Sequence, residues 1–214
     1  MTVVKICGLR TLPDARVAVE SGANLLGFIF WRPGKRYVAP SEAARIIATL
    51  REESPTWSAV GVFVDPTLDE VREAVDVCGL DFVQLSGHEP DALVRAVPCP
   101  TIKALHVRAG EEHHAAETIL NPASRADRFL LDTQVDSLPG GTGRKFDWRA
   151  LSRVGPVCLV AGGLRPDNVA DALSALAPYG VDVSSGVEFP SGGKDPRLIR
   201  AFVEAVRTYD HRSN

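Results

Sequence analysis

The sequence lacks the features that mark membrane-bound and secreted proteins. No apolar run reaches the roughly 18 residues of a membrane span, so we expect no membrane as a partner. The first residues show no basic segment followed by a long apolar stretch, so we expect no signal peptide. With 24 basic and 27 acidic residues the net charge is -3, which gives no electrostatic reason to expect nucleic acid as a partner.

Cysteine is scarce, with four residues among 214. None of them forms a Cys-x-x-Cys pair or lies near a histidine at zinc-finger spacing, so neither a metal site nor a disulfide framework is expected. This pattern favours the reducing cytoplasm as the place where the protein works. We interpret Cys78, Cys99 and Cys158 as small buried apolar residues, whereas Cys7 has a more unusual neighbourhood.

Short apolar runs recur along the whole chain, each followed by a longer amphipathic segment. The runs are rich in Val, Ile, Leu and Phe and do not alternate with polar residues, which is typical of strands buried on both faces. Strands are therefore expected at Val3–Cys7, Asn24–Phe30, Ala59–Val64, Phe82–Leu85, Thr101–Leu105, Phe129–Asp132, Val157–Ala161 and Val181–Ser184.

The segments between these runs have the apolar spacing of helices, as Leu68, Val71 and Val75 illustrate. Pro166 and Pro196 suit first helical turns, because the missing N–H of proline has no helical partner there. Helices are expected at Pro13–Ser21, Ser41–Leu50, Leu68–Val77, Asp91–Val97, Glu111–Leu120, Asp147–Ser152, Pro166–Ala177 and Asp195–Thr208.

Eight strands that alternate with eight helices predict a parallel sheet, and closure into a (β/α)8 TIM barrel is the economical arrangement. The alternative is an open, doubly wound sheet. That sheet usually has fewer strands, and no Gly-x-Gly-x-x-Gly follows the first strand here. No linker or low-complexity stretch divides the chain, so a single barrel domain is expected over residues 1–214.

In such a barrel the active site lies at the C-terminal ends of the strands, and the loops after strands 7 and 8 often bind phosphate. The seventh strand leads into Gly162 and Gly163, whose backbone can approach an anion closely. The eighth strand leads into Ser184, Ser185 and Gly186, which add hydroxyl and backbone donors. One such loop is often only a tight turn, but the two together predict a phosphate site.

Two further strand ends carry reactive side chains. Asp132 follows three apolar residues, and a carboxyl group there is costly to bury without a partner or a chemical role. Partial burial would suit it to act as a general acid. Cys7 ends the first strand close to Lys5, a cation that would favour the thiolate, although Cys7 also fits a plain buried strand residue. A thiolate and a carboxylic acid that face each other would form a base–acid pair.

Several short motifs occur in order over nearly the whole chain. They are Lys5-Ile6-Cys7-Gly8, Leu26-Gly27-Phe28-Ile29-Phe30, Lys35-Arg36-Tyr37-Val38, Gly61-Val62-Phe63-Val64, Val83-Gln84-Leu85, Leu130-Leu131-Asp132, Gly140-Gly141-Thr142-Gly143, Phe146-Asp147-Trp148, Ala161-Gly162-Gly163-Leu164, and the run from Val181 to Glu188 with Gly193-Lys194-Asp195. Each motif alone is weak, but the ordered set is specific. With it, the chain resembles the phosphoribosylanthranilate isomerases of tryptophan biosynthesis.

The resemblance implies an Amadori rearrangement, in which N-(5-phosphoribosyl)anthranilate becomes 1-(2-carboxyphenylamino)-1-deoxyribulose 5-phosphate. By this similarity Asp132 is the general acid that protonates the ring oxygen, and Cys7 is the general base that removes the proton from sugar C2. The iminium ion formed on ring opening is itself the electron sink, so no metal or organic cofactor is expected. The expected partners are thus a small phosphosugar substrate and at most a second copy of the chain, as a monomer or homodimer.

The same resemblance implies several binding residues. Arg36 matches the residue that holds the anthranilate carboxylate, and the planar fork of arginine suits that group. Asp182 is expected to support the site, and the glycines and serines after strands 7 and 8 are expected to hold the phosphate. Gly141 and Gly143 lie in a loop that is expected to close over the substrate as a lid.

One position departs from the family pattern. Members commonly read Gln-Leu-His-Gly after strand 4, whereas this chain reads Gln84-Leu85-Ser86-Gly87-His88. The change at Ser86 leaves the acid and the base in place, so the interpretation stands.

Two other functions fit the same fold. A histidine-pathway isomerase of aminosugar phosphates would share the barrel and the phosphate loops, but it has an aspartate where this chain has Cys7, and it shows a half-barrel repeat that we do not find here. A non-catalytic barrel that binds a phosphorylated ligand would have no need for both Cys7 and Asp132.

Overall fold

The computed structural model describes residues 1–121, 126–133 and 151–213. Its strands β1 to β8 are Val3–Cys7, Leu25–Ile29, Ser58–Phe63, Phe82–Leu85, Thr101–Val107, Arg128–Thr133, Cys158–Ala161 and Gly180–Val183. Its helices α1 to α7 are Leu12–Glu20, Pro40–Glu53, Leu68–Cys78, Asp91–Ala96, Glu112–Leu120, Val169–Leu176 and Pro196–Ser213. Short 3-10 turns at Gly155–Val157 and Ser185–Val187 precede β7 and follow β8.

The strands close into a barrel in the order of the sequence. The seam of the barrel is formed by β1 and β8, which pair in parallel with Lys5 beside Asp182. On its other side β1 pairs with β2, with Lys5 beside Leu25. This closure confirms the (β/α)8 barrel and excludes the open doubly wound sheet, because an open sheet leaves its two edge strands unpaired.

The expected elements differ from the observed ones mainly at their ends. Pro196 begins α7 as expected. The prediction for Pro166 is wrong, because Asn168 hydrogen-bonds the backbone of this segment into a turn and α6 begins only at Val169. The sixth expected helix, Asp147–Ser152, lies almost wholly outside the described residues. Among the helices in the described ranges, none is long and apolar enough to cross a membrane.

The strand side chains alternate between an outer and an inner apolar layer. In β1, Val4 and Ile6 join the outer layer, which packs against the helices. Cys7 joins the inner layer, whose members fill the barrel: Cys7, Leu25, Val60, Val62, Ile102, Ala104, Leu130, Leu159 and Ala161. Lys5 lies two residues before Cys7 and therefore points into the barrel too, where its side chain is fully buried.

A buried ion pair crosses the seam inside the barrel. Lys5 Nζ lies 2.8 Å from Asp182 Oδ1 and donates a hydrogen bond to it. Burial is the largest single influence and would lower the pKa of Lys5, but the charges and hydrogen bonds of Asp182 and Cys7 together outweigh it and raise that pKa above its ordinary value. Lys5 is therefore a fixed cation, and Asp182 is the partner that makes its burial tolerable.

We expect the Asp182→Leu variant to lose about 3–5 kcal/mol of unfolding free energy, because it leaves the Lys5 ammonium buried and unpaired. The double variant Lys5→Met/Asp182→Leu should recover most of that loss, since it removes both charges together. Urea unfolding followed by circular dichroism measures both. Glu53→Gln, which opens the exposed Arg16–Glu53 pair, is the control and should change stability little. A double variant as unstable as the single one would contradict this account of the seam.

Candidate active site

A cavity of about 270 Å³ lies at the C-terminal ends of strands β4 to β8. Its wall is formed by Gln84, Ser86, Ala104, His106, Leu130, Asp132, Ala161, Gly162, Gly163, Leu164, Asp182, Val183, Ser184, Ser185 and Gly186. The wall therefore brings together seven of the residues expected from the sequence: Asp132, Gly162, Gly163, Asp182, Ser184, Ser185 and Gly186. Gly141 and Gly143, the expected lid residues, lie outside the described residues.

The loop after β7 has a backbone shape that requires glycine. Gly162 and Gly163 have φ angles of +94° and +63°, in the left-handed region that other residues rarely adopt. Asn168 holds the loop in place, because its side-chain oxygen accepts from Arg165 N at 2.7 Å and its Nδ2 donates to Gly163 O at 3.0 Å. The loop is thus fixed before any ligand arrives.

The loop after β8 packs directly against the loop after β7. A β-carbon at Gly186 would lie only 1.8 Å from the carbonyl oxygen of Leu164, so no larger residue fits there without displacing the backbone. Lys194 is buried behind this loop and donates to Ser184 O at 2.9 Å. Burial lowers the pKa of Lys194, and its contact with Glu188 opposes that effect. Two independently tethered loops therefore meet at one end of the cavity.

Cys7 lies beside this end of the cavity. Its carbonyl oxygen accepts a hydrogen bond from Ser184 Oγ at 3.1 Å, and its side chain is buried above Lys5 and Asp182. Gly27 on β2 leaves the space for it, since a β-carbon there would lie 3.0 Å from Cys7 Sγ and 3.1 Å from Lys5 Nζ. The thiol therefore lies at the C-terminal end of β1, on the inner face of the barrel and next to the buried Lys5 ammonium.

The pKa of Cys7 is set by opposing influences from burial and from its two charged neighbours. Lys5 does lower it, as expected from a neighbouring cation. Burial is the larger effect, however, and together with the negative charge of Asp182 it raises the pKa of the thiol above its ordinary value. Lys5 thus favours the thiolate, as the sequence predicted, but burial opposes this effect and determines the net direction.

Arg36 already has a carboxylate partner. Its Nε and Nη2 each lie 2.7 Å from one oxygen of Glu188, a two-pronged contact, and Lys194 Nζ lies 2.9 Å from the same carboxylate. Burial would raise the pKa of Glu188, but Arg36 and Lys194 outweigh it and lower the pKa to about 2. Arg36 also packs on Gly8, which has a φ of +79°. A β-carbon added at Gly8 would lie 2.6 Å from Arg36 Cδ. Neither Glu188 nor Lys194 was given a role from the sequence, although both occur in its motifs.

The acidic side of the cavity contains a residue that the sequence analysis missed. His106 Nδ1 lies 3.1 Å from Asp132 Oδ2, and His106 Nε2 lies 3.1 Å from the carbonyl oxygen of Ser86. The apolar run predicted a strand ending at Leu105, whereas β5 continues to Val107 and places His106 on the inner face. The signal that could have found it is the one used for Asp132, a polar residue at the end of an apolar strand.

The loop after β4 supports this side of the cavity. Glu89 accepts from the backbone N–H groups of Asp65 at 3.0 Å and Gly87 at 2.8 Å, and it pairs with Lys103. Gln84 Nε2 lies 3.0 Å from Ser86 Oγ, while Gln84 Oε1 is buried and has no hydrogen-bond partner among the described residues. Glu89 and Lys103 thereby hold the backbone that presents the Ser86 carbonyl to His106.

His88 does not belong to this site. Its backbone N–H donates to Asp65 Oδ1 at 2.6 Å, and the residue is exposed outside the cavity wall. Within residues 1–121, 126–133 and 151–213, no three His, Cys, Asp or Glu side chains are grouped as metal ligands.

Comparisons with known proteins show which family the chain belongs to. A family model described as N-(5'phosphoribosyl)anthranilate (PRA) isomerase matches residues 4–205. An N-(5'-phosphoribosyl)anthranilate isomerase of Geobacter sp. (strain M21) is 48% identical over 209 residues, which cover 97% of this chain and 98% of that relative.

Solved structures show the same fold and the same family. A phosphoribosyl anthranilate isomerase in complex with reduced 1-(o-carboxyphenylamino)-1-deoxyribulose 5-phosphate superposes with a TM-score of 0.83 at 34% identity, covering 97% of this chain and 100% of that one. Monomers generated from the dimeric phosphoribosylanthranilate isomerase of Thermotoga maritima superpose with a TM-score of 0.81 at 34% identity and the same coverage. The chain therefore belongs to the N-(5'-phosphoribosyl)anthranilate isomerase family.

Proposed function

We propose that Cys7 and Asp132 carry out, as base and acid, the isomerisation that defines this family. The reaction is the Amadori rearrangement of N-(5'-phosphoribosyl)anthranilate to 1-(o-carboxyphenylamino)-1-deoxyribulose 5-phosphate, a step of tryptophan biosynthesis. The observation that carries the assignment of roles is the position of Asp132, which shares one cavity wall with the two fixed loops after β7 and β8.

The substrate phosphate is held by those two loops in this proposal. Gly162 and Gly163 allow close approach of their backbone to an anion, and Ser184, Ser185 and Gly186 contribute hydroxyl and amide donors. Because Asn168 and Lys194 already fix the loops, little conformational entropy is lost when the phosphate binds. Anchoring the phosphate places the sugar ring between the strand ends that carry the acid and the base.

The reaction begins with the acid. Asp132 protonates the ring oxygen as the C1–O bond breaks, which opens the furanose and leaves an iminium ion between C1 and the anthranilate nitrogen. Cys7 then removes the proton from C2, and the electron pair of that bond moves towards the iminium nitrogen to give an enolamine. Ketonisation moves one proton onto C1 and releases one from the C2 hydroxyl, so the isomerisation consumes no proton overall.

The surroundings of Cys7 suit a base of this kind. The step needs Cys7 as the thiolate, and because burial raises the pKa of the thiol, that thiolate is a stronger base towards the C2 proton. Lys5 stabilises the negative charge that appears there, and Asp182 keeps Lys5 in place. We propose that Asp182 acts through Lys5 as a positioning residue and does not take part in proton transfer itself.

The experiment that tests the function is turnover of phosphoribosylanthranilate made in situ and followed by the loss of its anthranilate-type fluorescence. Purified chain should accelerate the loss well beyond the uncatalysed background. A folded chain that leaves the background unchanged would refute the proposal and would favour the phosphate-ligand-binding alternative.

The oligomeric state and location belong to the same proposal. The Thermotoga relative is described as dimeric, with monomers generated from it, and we propose that this chain works as a monomer or homodimer. We also place the protein in the cytoplasm, where phosphorylated sugars that do not cross membranes unaided are made and used.

Replacing the base should stop the reaction without harming binding. Cys7→Ala is expected to lower kcat by about 100-fold or more, the usual contribution of a general base, with little change in KM. Steady-state kinetics of the fluorescence decay measures both. Cys99→Ala, at a cysteine remote from the cavity, is the matched control and should retain the wild-type rate. Near-normal turnover by Cys7→Ala would assign the base to another group.

Replacing the acid should lower kcat by a similar factor. Asp132→Asn keeps the shape of the side chain but has no carboxyl proton to donate, so we expect kcat to fall by about 100-fold or more. Asp167→Asn, at an exposed carboxylate paired with Arg165, serves as the control and should leave kcat unchanged. If the Asp132→Asn variant turned over like wild type, the ring would have to open by another route.

Arg36 is expected to contribute to binding more than to the rate of the chemical step. Only two of the five guanidinium N–H donors are engaged by Glu188, so three can serve the anthranilate carboxylate. Losing a charge-assisted contact predicts a KM about 10-fold or more higher in Arg36→Ala, with Lys35→Ala as the exposed control. A reduced product analogue without the carboxylate should bind wild type and variant alike. An equal loss of affinity for both analogues would show that Arg36 acts only through Glu188 and Gly8.

A further inference from the structure

His106 has no part in the mechanism above, yet it lies in the cavity wall beside the acid. It stands at the inner face of β5, next to Asp132 on β6, and its side chain is about half exposed towards the cavity. Both ring nitrogens are engaged, Nδ1 by Asp132 Oδ2 and Nε2 by the carbonyl oxygen of Ser86, each at 3.1 Å. Because both ring nitrogens are hydrogen-bonded, the orientation of the ring and the positions of its N–H hydrogens are defined.

The Ser86 carbonyl determines which ring nitrogen carries a hydrogen. A carbonyl oxygen can only accept, so His106 Nε2 must be protonated and donate to it. A neutral imidazole with its hydrogen on Nε2 has a bare lone pair on Nδ1, and a carboxylate oxygen also offers only lone pairs. The 3.1 Å contact between Nδ1 and Asp132 Oδ2 is therefore a hydrogen bond only if one proton lies between them.

The pair consequently holds one transferable proton. It exists either as imidazolium and carboxylate or as neutral imidazole and carboxylic acid, and a shift of the proton along one hydrogen bond interconverts the two. A solitary aspartic acid has a pKa of about 3.9 and would be almost wholly ionised near pH 7. The hydrogen bond to Asp132 raises the pKa of His106, so the pair holds its proton to a higher pH than a free imidazole would.

We infer that His106 is a positioning residue that supplies Asp132 with the proton it delivers to the ring oxygen. The inference rests on the proposed role of Asp132 as the acid. As the C1–O bond breaks, one proton leaves Asp132 for the ring oxygen, and the pair is left as neutral imidazole and carboxylate. The pair regains one proton when the C2 hydroxyl loses its own on ketonisation, so it is restored at the end of each turnover.

The charged groups around His106 are compatible with this role. The hydrogen bond to Asp132 is the largest influence and raises the pKa of His106, while partial burial opposes it. The Ser86 carbonyl on the β4 side adds to the increase, and Lys103 on β5 itself reduces it. Lys103 is paired with the buried carboxylate of Glu89, which limits its effect. No other charged side chain in the described cavity wall is hydrogen-bonded to His106.

The position of His106 also bears on the departure at Ser86. The resemblance described in the sequence analysis implies a histidine at that position, where this chain has serine. Here an imidazole comes instead from the neighbouring strand and donates to the backbone of that same residue. His88, the nearer histidine in the sequence, lies outside the cavity wall, so His106 is the histidine that the fold delivers to this place.

The test compares pH profiles of kcat and kcat/KM for wild type, His106→Gln, Asp132→Asn and the double variant. Glutamine can still donate to the Ser86 carbonyl but has no transferable proton. The limb of the pH profile that depends on the acid is the one that Asp132→Asn abolishes. In His106→Gln this limb should move to lower pH by about one unit or more. The rate of His106→Gln at pH 8 should be about 10-fold or more below that of wild type. His88→Gln, the same change at the exposed histidine, should leave the profile as in wild type.

Two further measurements separate proton supply from a structural role. The double variant should be no slower than Asp132→Asn alone, because His106 acts only through Asp132. In His106→Ala, which leaves a half-exposed gap, added imidazole should restore part of the activity in proportion to its concentration. Thermal unfolding of each variant accompanies the kinetics, and a melting temperature near that of wild type is expected.

Several outcomes would overturn the inference. A wild-type profile in His106→Gln, with Asp132→Asn impaired, would remove His106 from the proton path and leave the proposed function intact. Additive losses in the double variant, or the absence of imidazole rescue in a folded His106→Ala, would do the same. Unimpaired turnover by Asp132→Asn would instead contradict the proposed role of the acid itself.

Discussion

The buried ion pair between Lys5 and Asp182 is the interaction on which the site depends. It joins the first and last strands inside the barrel, where neither charge could remain without the other. Cys7 lies one inward position above Lys5, so the contact that closes the barrel also sets the electrostatic surroundings of the thiol. Closure of the fold and the chemistry at the end of β1 therefore rely on the same two side chains.

The end of the cavity that we propose binds the phosphate is built from backbone held by side chains behind it. Gly186 brings the β8 loop against the Leu164 carbonyl, and Asn168 and Lys194 tie the two loops down from the far side. Lys194 is buried and engaged with Ser184 and Glu188, which makes it a tether of the loop. Such an arrangement offers an anion donors that are already oriented, and it explains why glycine is needed where the loops touch.

The proposed base and the proposed acid lie in different electrostatic surroundings. Cys7 is buried, and its proton affinity is set by the balance between burial, the cation of Lys5 and the anion of Asp182. Asp132 lies at the open end of the barrel, where water weakens such effects, and its proton is governed by a hydrogen-bonded neighbour in our interpretation. A barrel allows both surroundings in one site, because its strands all end at the same rim while the side chains on their inner faces lie at different depths below it.

The sequence by itself determined the order of the strands, the barrel, the positions of the glycine- and serine-containing loops after β7 and β8, and the placement of Asp132 at a strand end, because apolar periodicity and glycine-rich strand ends are local patterns. Only the tertiary structure decided that Arg36 meets Glu188, 152 residues away, and that His106 meets Asp132, 26 residues away. It also decided the direction of the pKa of Cys7 and the late start of α6. The reason is physical: hydrogen-bond partners and the depth of burial depend on which strand ends the closed barrel brings together, and spacing along the chain does not contain that information.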